Sequence, residues 1–270
     1  MQEIFSTNNA KVKYLLQLQK KSSLRKKNKE FVIEGRREIT LAVKNNYQLI
    51  SIFYVPEFFS ETKLFELLQW TKNKVEIFKT NEKVYKKMAY RGSTEGIIAL
   101  AKMKNHSIVE FKTEPNPLIL IAENIEKPGN VGAILRTVDG VGADGLILVN
   151  PVVDLYNPNL IRSSIGTVFS VQVAVTNLHD LKKFLNQKQI NLYAADLQNS
   201  NFYFKENYSI PTAIAVGAED KGLSSEIREL AKKSIFIPMR GQIDSLNVSI
   251  SASILLYEAL KQRLNKHNNL

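Results

Sequence analysis

The segment from Leu118 to Arg136 constrains the fold of this chain more than any other. It opens with a short aliphatic run, Leu118-Ile-Leu-Ile-Ala122, preceded by Pro115 and Pro117, which predicts a buried strand. The run breaks through Lys127-Pro-Gly-Asn130, and Val131, Ile134, Leu135 and Val138 then recur at helical spacing. A strand that passes through a Pro-Gly turn into a helix leaves backbone N–H groups, an amide side chain and Arg136 at one rim. In open α/β sheets, ligands bind at that rim.

The same alternation runs along all 270 residues. After a basic helical lead-in, strands are predicted over 31–35, 50–55, 75–78 and 96–101, with helices over 36–45 and 61–72. They predict a smaller α/β domain over residues 1–106. Residues 107–117 are polar, hold two prolines and read as a linker. A second α/β domain is predicted over 118–270, with strands at 118–122, 145–149, 168–173, 191–194, 213–216 and 234–237. Its last helix, from about Asn247 to Leu264, is apolar nearly all round its first half. Burial on two sides is expected there, one against the sheet and the other against a second subunit.

Several chemistries are excluded or disfavoured. The chain has no cysteine, so disulfides, thiolate catalysis and cysteine zinc sites are out. His106, His179 and His267 stand in no ligand spacing, so no metal is expected. No apolar stretch reaches the roughly 20 residues of a membrane span, and the N-terminus lacks a signal-peptide core, which predicts a cytoplasmic protein without membrane association. Gly140-Val-Gly142-Ala-Asp-Gly145 spells a dinucleotide fingerprint, yet the helix precedes these glycines and the strand follows them. They read as a helix terminator, and an NAD-dependent enzyme is disfavoured.

Charge points to a polyanion. The chain carries 37 Lys+Arg against 26 Asp+Glu, a net +11. Positive residues crowd between Lys11 and Lys29, including Arg25 and Lys26, and again from Lys83 through Arg91 to Lys104, interleaved with Tyr85, Tyr90 and Phe78. Cations for phosphates and aromatic faces for bases suit RNA.

Two further loops leave apolar strands in the second half. One is Ala215-Val-Gly-Ala-Glu-Asp-Lys-Gly222, with Glu219 among glycines; the other runs from Ile235 through Met239 to Ser249. Glycines let a flat ligand approach the main chain, and Ile237, Met239 and Leu246 could enclose an aromatic ring. Singly, Asn130 or Ser245 could cap a helix, and Glu219 could be a solvated acid.

Together these loops resemble the three motifs of the SpoU/TrmH family of S-adenosylmethionine-dependent RNA ribose 2'-O-methyltransferases. The likeness lies in Asn130, Gly132 and Arg136, in Gly217, Glu219 and Gly222, and in Pro238, Ser245, Leu246 and Asn247, with Arg162-Ser-Ser-Ile-Gly166 between. More weakly, residues 31–35 and 96–100 resemble the family's ribosomal-protein-like substrate-binding domain. One departure is Asp220-Lys221, where relatives often carry Gly-x.

The resemblance implies a parallel-sheet SPOUT domain with a deep trefoil knot, a smaller N-terminal RNA-binding domain, and a homodimer whose site is completed across the interface. It implies S-adenosylmethionine at Gly217, Ile237, Met239 and Leu246, and a catalytic set of Arg136, Asn130, Glu219, Ser245 and Asn247. Arginine makes a poor base, because guanidinium holds its proton above a pKa of about 12. Arg136 is therefore expected to orient a phosphate and steady the developing alkoxide, held by the other four. Arg25, Lys26, Tyr85, Tyr90, Arg91 and Arg162 are candidate RNA contacts. Ribosomal RNA, 23S above all, is the expected substrate. The alternatives are a tRNA 2'-O-methyltransferase or a non-catalytic RNA-binding protein on the same fold.

Overall fold

The computed structural model describes residues 2–90, 95–197 and 200–267. They form two units: residues 1–105 with 154–170, and residues 106–153 with 171–270.

The first unit contains β1 (Gln2–Ile4), α1 (Ala10–Lys20), α2 (Ser22–Asn28), β2 (Glu30–Glu34), α3 (Arg36–Lys44), β3 (Leu49–Tyr54), α4 (Glu61–Leu68), β4 (Glu76–Thr80), α5 (Glu82–Met88) and β5 (Ile97–Lys102). Its five strands lie in the order β1-β4-β3-β5-β2. β3 and β4 are parallel, whereas β5 runs antiparallel to both β2 and β3. Val12, Leu15 and Leu18, one face of α1, pack with Phe53, Phe78 and Tyr85 in its core.

The second unit contains β6 (Leu118–Glu123), α6 (Pro128–Val141) and β7 (Gly145–Val149). The chain then gives α7 (Pro158–Ser163) and α8 (Thr167–Ser170) to the first unit. It returns through β8 (Val173–Thr176), α9 (Leu178–Lys188), β9 (Asn191–Ala195), β10 (Ser200–Phe202), β11 (Thr212–Val216), α10 (Ser225–Leu230), β12 (Lys233–Phe236) and α11 (Val248–His267). All seven strands are parallel, in the order β10-β12-β9-β11-β6-β7-β8. β6, β7 and β11 are buried along their whole lengths, which explains why they read as continuous apolar runs rather than alternating ones.

Two expectations differ from this structure, and two short strands are additional to them. Residues 107–117 are part of the second unit's core, to which they give Ile108 and Phe111, and not a bare connection. The apolar run 168–173 is not one strand: Val168 and Phe169 lie in α8, and β8 begins at Val173. Short apolar runs do not separate strand from buried helix, and here packing decides. The Phe169 ring stacks on Phe31 at 5.8 Å and meets Tyr47 edge-on at 5.0 Å. β1 and β10, only three residues each, carry too little pattern to be found. The decoy glycines do end a helix: Gly142, at φ 64°, caps α6.

Candidate active site

Three chain segments bring polar groups to the carboxyl ends of the central strands. The first follows β6. Glu123 is buried and accepts from the backbone N–H and hydroxyl of Ser224, both at 2.7 Å, which fixes the start of α10 to the end of β6. The helix that follows starts earlier than the apolar pattern suggests. Pro128 occupies its first turn, where the missing N–H costs nothing, and Lys127 is its cap. Asn130 is thus not the cap, and its amide is left to reach across to another loop.

That other loop follows β11. A turn closed by Gly222 N–H to the Ala218 carbonyl (2.9 Å) presents Glu219, with Gly222 at φ 64°. It is tight: a Cβ on Gly217 would collide with the backbone of Gly222 and Leu223, so only glycine fits. The third segment follows β12 and ends at Asn247, whose Oδ1 accepts from the N–H (2.9 Å) and hydroxyl (2.6 Å) of Ser249 and so caps α11.

Glu219 is where the three meet. Asn130 Nδ2 donates to its Oε1 at 2.7 Å and Asn247 Nδ2 donates to the same oxygen at 2.8 Å. Asn247 Nδ2 also reaches Asn130 Oδ1 at 3.2 Å. Glu219 Oε2 is paired with the Lys127 ammonium. Lys127, then the Asn130 amide, holds the Glu219 carboxyl below its usual range, and the pair in turn raises the Lys127 ammonium. Lys127 was not singled out in the sequence; its place just before Pro128 was the only signal.

Beside this network lies a cavity of about 240 Å³. Gly217, Ile237, Met239 and Leu246, the four residues expected at a cofactor, all line it, and Ser245 and Glu219 stand on its wall. Asp196 and Asp244 also line it and were not anticipated. Its mixture of aliphatic wall, glycine-lined main chain and carboxylates fits a flat heteroaromatic ring joined to a polar, cationic tail.

Arg136 is not in the network. It is exposed and, among the described residues, makes no hydrogen bond or ion pair. Within the single chain Asn130, Glu219, Ser245 and Asn247 do not hold it: Asn130, Glu219 and Asn247 close on one another. Geometry gives the reason, since six helical residues carry Arg136 about 120° round α6 and about 9 Å along it from Asn130.

The candidate RNA contacts divide. Arg25 is buried, 2% exposed, and bonded to Asp154 and to the carbonyls of Leu18 and Gln19, so it is a structural cation. Tyr85 is fully buried in the first unit's core. Both expectations are corrected, because one basic or aromatic residue in a cluster can turn inward without changing the pattern. Lys26, Tyr90 and Arg162 are exposed, and Tyr90 and Arg162 line one cavity of the first unit. Arg91 lies outside the described residues. Among the described residues no group of histidines or carboxylates could hold a metal ion, and no helix is long and apolar enough to cross a membrane.

Comparison with known proteins agrees with this geometry. Residues 117–257 match the SpoU rRNA Methylase family, and residues 9–99 match an MRM3-like substrate binding domain. A crystal structure of an RNA 2'-O ribose methyltransferase is 37% identical, with a TM-score of 0.83, and the match covers 97% of this chain and 99% of that one. The AdoMet-bound rRNA methyltransferase from Sinorhizobium meliloti is 25% identical, with a TM-score of 0.89 over 96% of this chain and 97% of that one. The 23S rRNA (guanosine(2553)-2'-O)-methyltransferase RlmP of Bacillus subtilis is 27% identical over 257 residues, 95% of this chain and 98% of its own length. With a methylase-family match over the second unit's motifs and near full-length likeness to solved relatives, the chain belongs to the SpoU rRNA methylase family of RNA 2'-O-methyltransferases.

Proposed function

We propose that this protein transfers a methyl group from S-adenosylmethionine to a ribose 2'-hydroxyl of 23S ribosomal RNA, in the cytoplasm and as a homodimer. The observation that carries it is the convergence of Asn130 and Asn247 on Glu219 at the wall of a cavity lined by Gly217, Ile237, Met239 and Leu246. Ribosomal rather than transfer RNA is favoured by the MRM3-like domain and by the end-to-end likeness to the Bacillus subtilis 23S rRNA enzyme. In this proposal the first unit, residues 1–105 with 154–170, selects the RNA and the second unit carries the chemistry. In the same proposal the second unit is threaded as a trefoil knot.

S-adenosylmethionine, when bound, supplies a methyl carbon on a sulfonium, a leaving group that needs no metal. The protein must then align the hydroxyl with that carbon, and alignment alone contributes several kcal/mol. Gly217 and the side chains of Ile237, Met239 and Leu246 would hold the cofactor. Glu219, kept ionised by Lys127, fixes the two amides and so the mutual positions of the three loops. Ser245 stands at the cavity wall.

Arg136 turns away from this network and shares a face of α6 with Gly140, where a Cβ would stand 3.4 Å from the Tyr257 hydroxyl. Tyr257 belongs to an exposed apolar series on α11, with Ile250 and Leu264 at seven-residue spacing. A second copy seated there would cover the stripe and bring Arg136 toward the partner's site, to orient the target phosphate while phosphate or water takes the proton.

Incubation with labelled S-adenosylmethionine and separate pools of ribosomal and transfer RNA tests the proposal. Ribose-methylated 23S RNA is expected. Label in transfer RNA alone would refute the substrate, and RNA binding with no transfer would refute catalysis.

A further inference from the structure

The first unit holds a cavity of about 370 Å³, within the roughly 300–1,000 Å³ range of ligand pockets, which the methyl-transfer chemistry does not use. Glu38, Glu95, Arg37, Arg162 and Tyr90 line it. Glu38 is the telling residue. It lies in the first turn of α3, is 8% exposed, and among the described residues no other side chain donates to its carboxylate. Burial, and next among the raising causes the charge of Glu95, push its carboxyl up, opposed by its own backbone N–H and then by the charge of Arg37. Burying a carboxylate with no donor beyond its own backbone N–H is costly, and a ligand that brought donors would reduce that penalty.

Glu38 and Glu95 converge. A Cβ on Gly35, which sits at φ +104°, would collide with Glu38 Oε2 and stand 3.3 Å from Glu95 Oε2. The pair therefore presents adjacent carboxylate acceptors, with Glu95 Oε2 also accepting from the Arg36 N–H at 2.6 Å and so held in place. At the same cavity Arg37 and Arg162 are exposed, suited to phosphate, and Tyr90 offers a ring face. Among the described residues no group of three or more histidines or carboxylates is placed to hold a metal ion.

We propose that this cavity receives an unpaired guanine base of the RNA, with the Glu38 and Glu95 carboxylates accepting its ring N–H and amino hydrogens. The proposal rests on RNA being the substrate. Guanine alone carries an N–H and an NH₂ side by side on its pairing edge. Adenine, cytosine and uracil place an acceptor beside each donor, which would face carboxylate lone pairs. Tyr90 stacks on the base, and Arg37 and Arg162 pair with the flanking phosphates.

Binding of fluorescein-labelled uridine oligoribonucleotides carrying one central guanosine, inosine, adenosine or uridine tests it, read by anisotropy with the full-length protein. The guanosine oligomer is expected to bind about tenfold more tightly than the other three. Glu38→Gln should remove that preference while leaving binding of the all-uridine oligomer and the thermal midpoint unchanged. Tyr90→Leu, at an exposed position that does not threaten folding, should weaken the guanosine oligomer most. Equal binding of all four oligomers by the wild type would overturn the guanine site but not the RNA substrate, as would a preference that survives both substitutions. Binding of none would overturn both.

Discussion

Asp154→Ala provides a quantitative test of Arg25 as a structural cation. Arg25 Nε and Nη2 both donate to Asp154 Oδ2, at 2.8 and 2.6 Å, and the side chains are 3% and 10% exposed. Ser22 Oγ donates to the same oxygen at 2.9 Å, and the Tyr156 N–H to the other, also at 2.9 Å. Removing the carboxylate leaves a guanidinium buried without a counter-charge, a change that costs about 3–5 kcal/mol. The bonds from Arg25 to the Leu18 and Gln19 carbonyls survive, so the lower end, about 3 kcal/mol, is expected. At about 2–4 °C per kcal/mol, the thermal midpoint should fall by roughly 6–12 °C. Arg25→Met combined with Asp154→Leu removes both charges and should recover most of that loss. Thermal unfolding by circular dichroism and RNA anisotropy against salt, measured well below the transition, give the two readouts. The double variant should bind RNA within about twofold of wild type with an unchanged salt slope. A stable double variant whose binding falls tenfold, with a slope reduced by about one counterion, would show that Arg25 touches phosphate and that its burial has been misjudged.

Three further outcomes are expected. Lys127→Met removes the main cause that holds the Glu219 carboxyl down. The ionised network exists above that depressed pKa and is lost as pH falls through it, so the acid limb of kcat/KM should move to higher pH; an unmoved limb would refute the coupling. Gly217→Ala forces a Cβ into the backbone of Gly222, and an overpacking cost of about 1–3 kcal/mol should appear as roughly 5- to 150-fold weaker cofactor binding by calorimetry, with folding retained. Wild-type affinity would show that the loop yields. Tyr257→Glu places a charge in the exposed apolar series of α11 and should give a monomer in sedimentation together with lost activity; an active monomer would refute a site completed by a second copy.

The strand-turn-helix around Asn130, and the two glycine loops, were legible because each imposes a local requirement. A continuous aliphatic run must be buried, a Pro-Gly step must turn, and Gly217 must pass where no Cβ fits. The positions of Gly217, Ile237, Met239 and Leu246 along the chain thus anticipated one cavity wall. The burial of Arg25 and Tyr85 was not legible, because each belongs to a cluster whose other members face water. Val168 and Phe169 were equally ambiguous, since an apolar pair satisfies a strand or a buried helical turn until its neighbours are known.

Sequence alone determined that this chain is an α/β protein with a parallel core, no metal-binding cysteine chemistry, and three polar loops on one edge of its sheet. Local pattern and residue chemistry suffice for that. Tertiary structure alone decided that Lys127 and two amides share the carboxylate of Glu219, that Arg136 faces away from them, and that residues 154–170 leave the second unit to complete the first. Those outcomes depend on which side chains meet across 28 to 92 residues of intervening chain, and no local periodicity carries that distance.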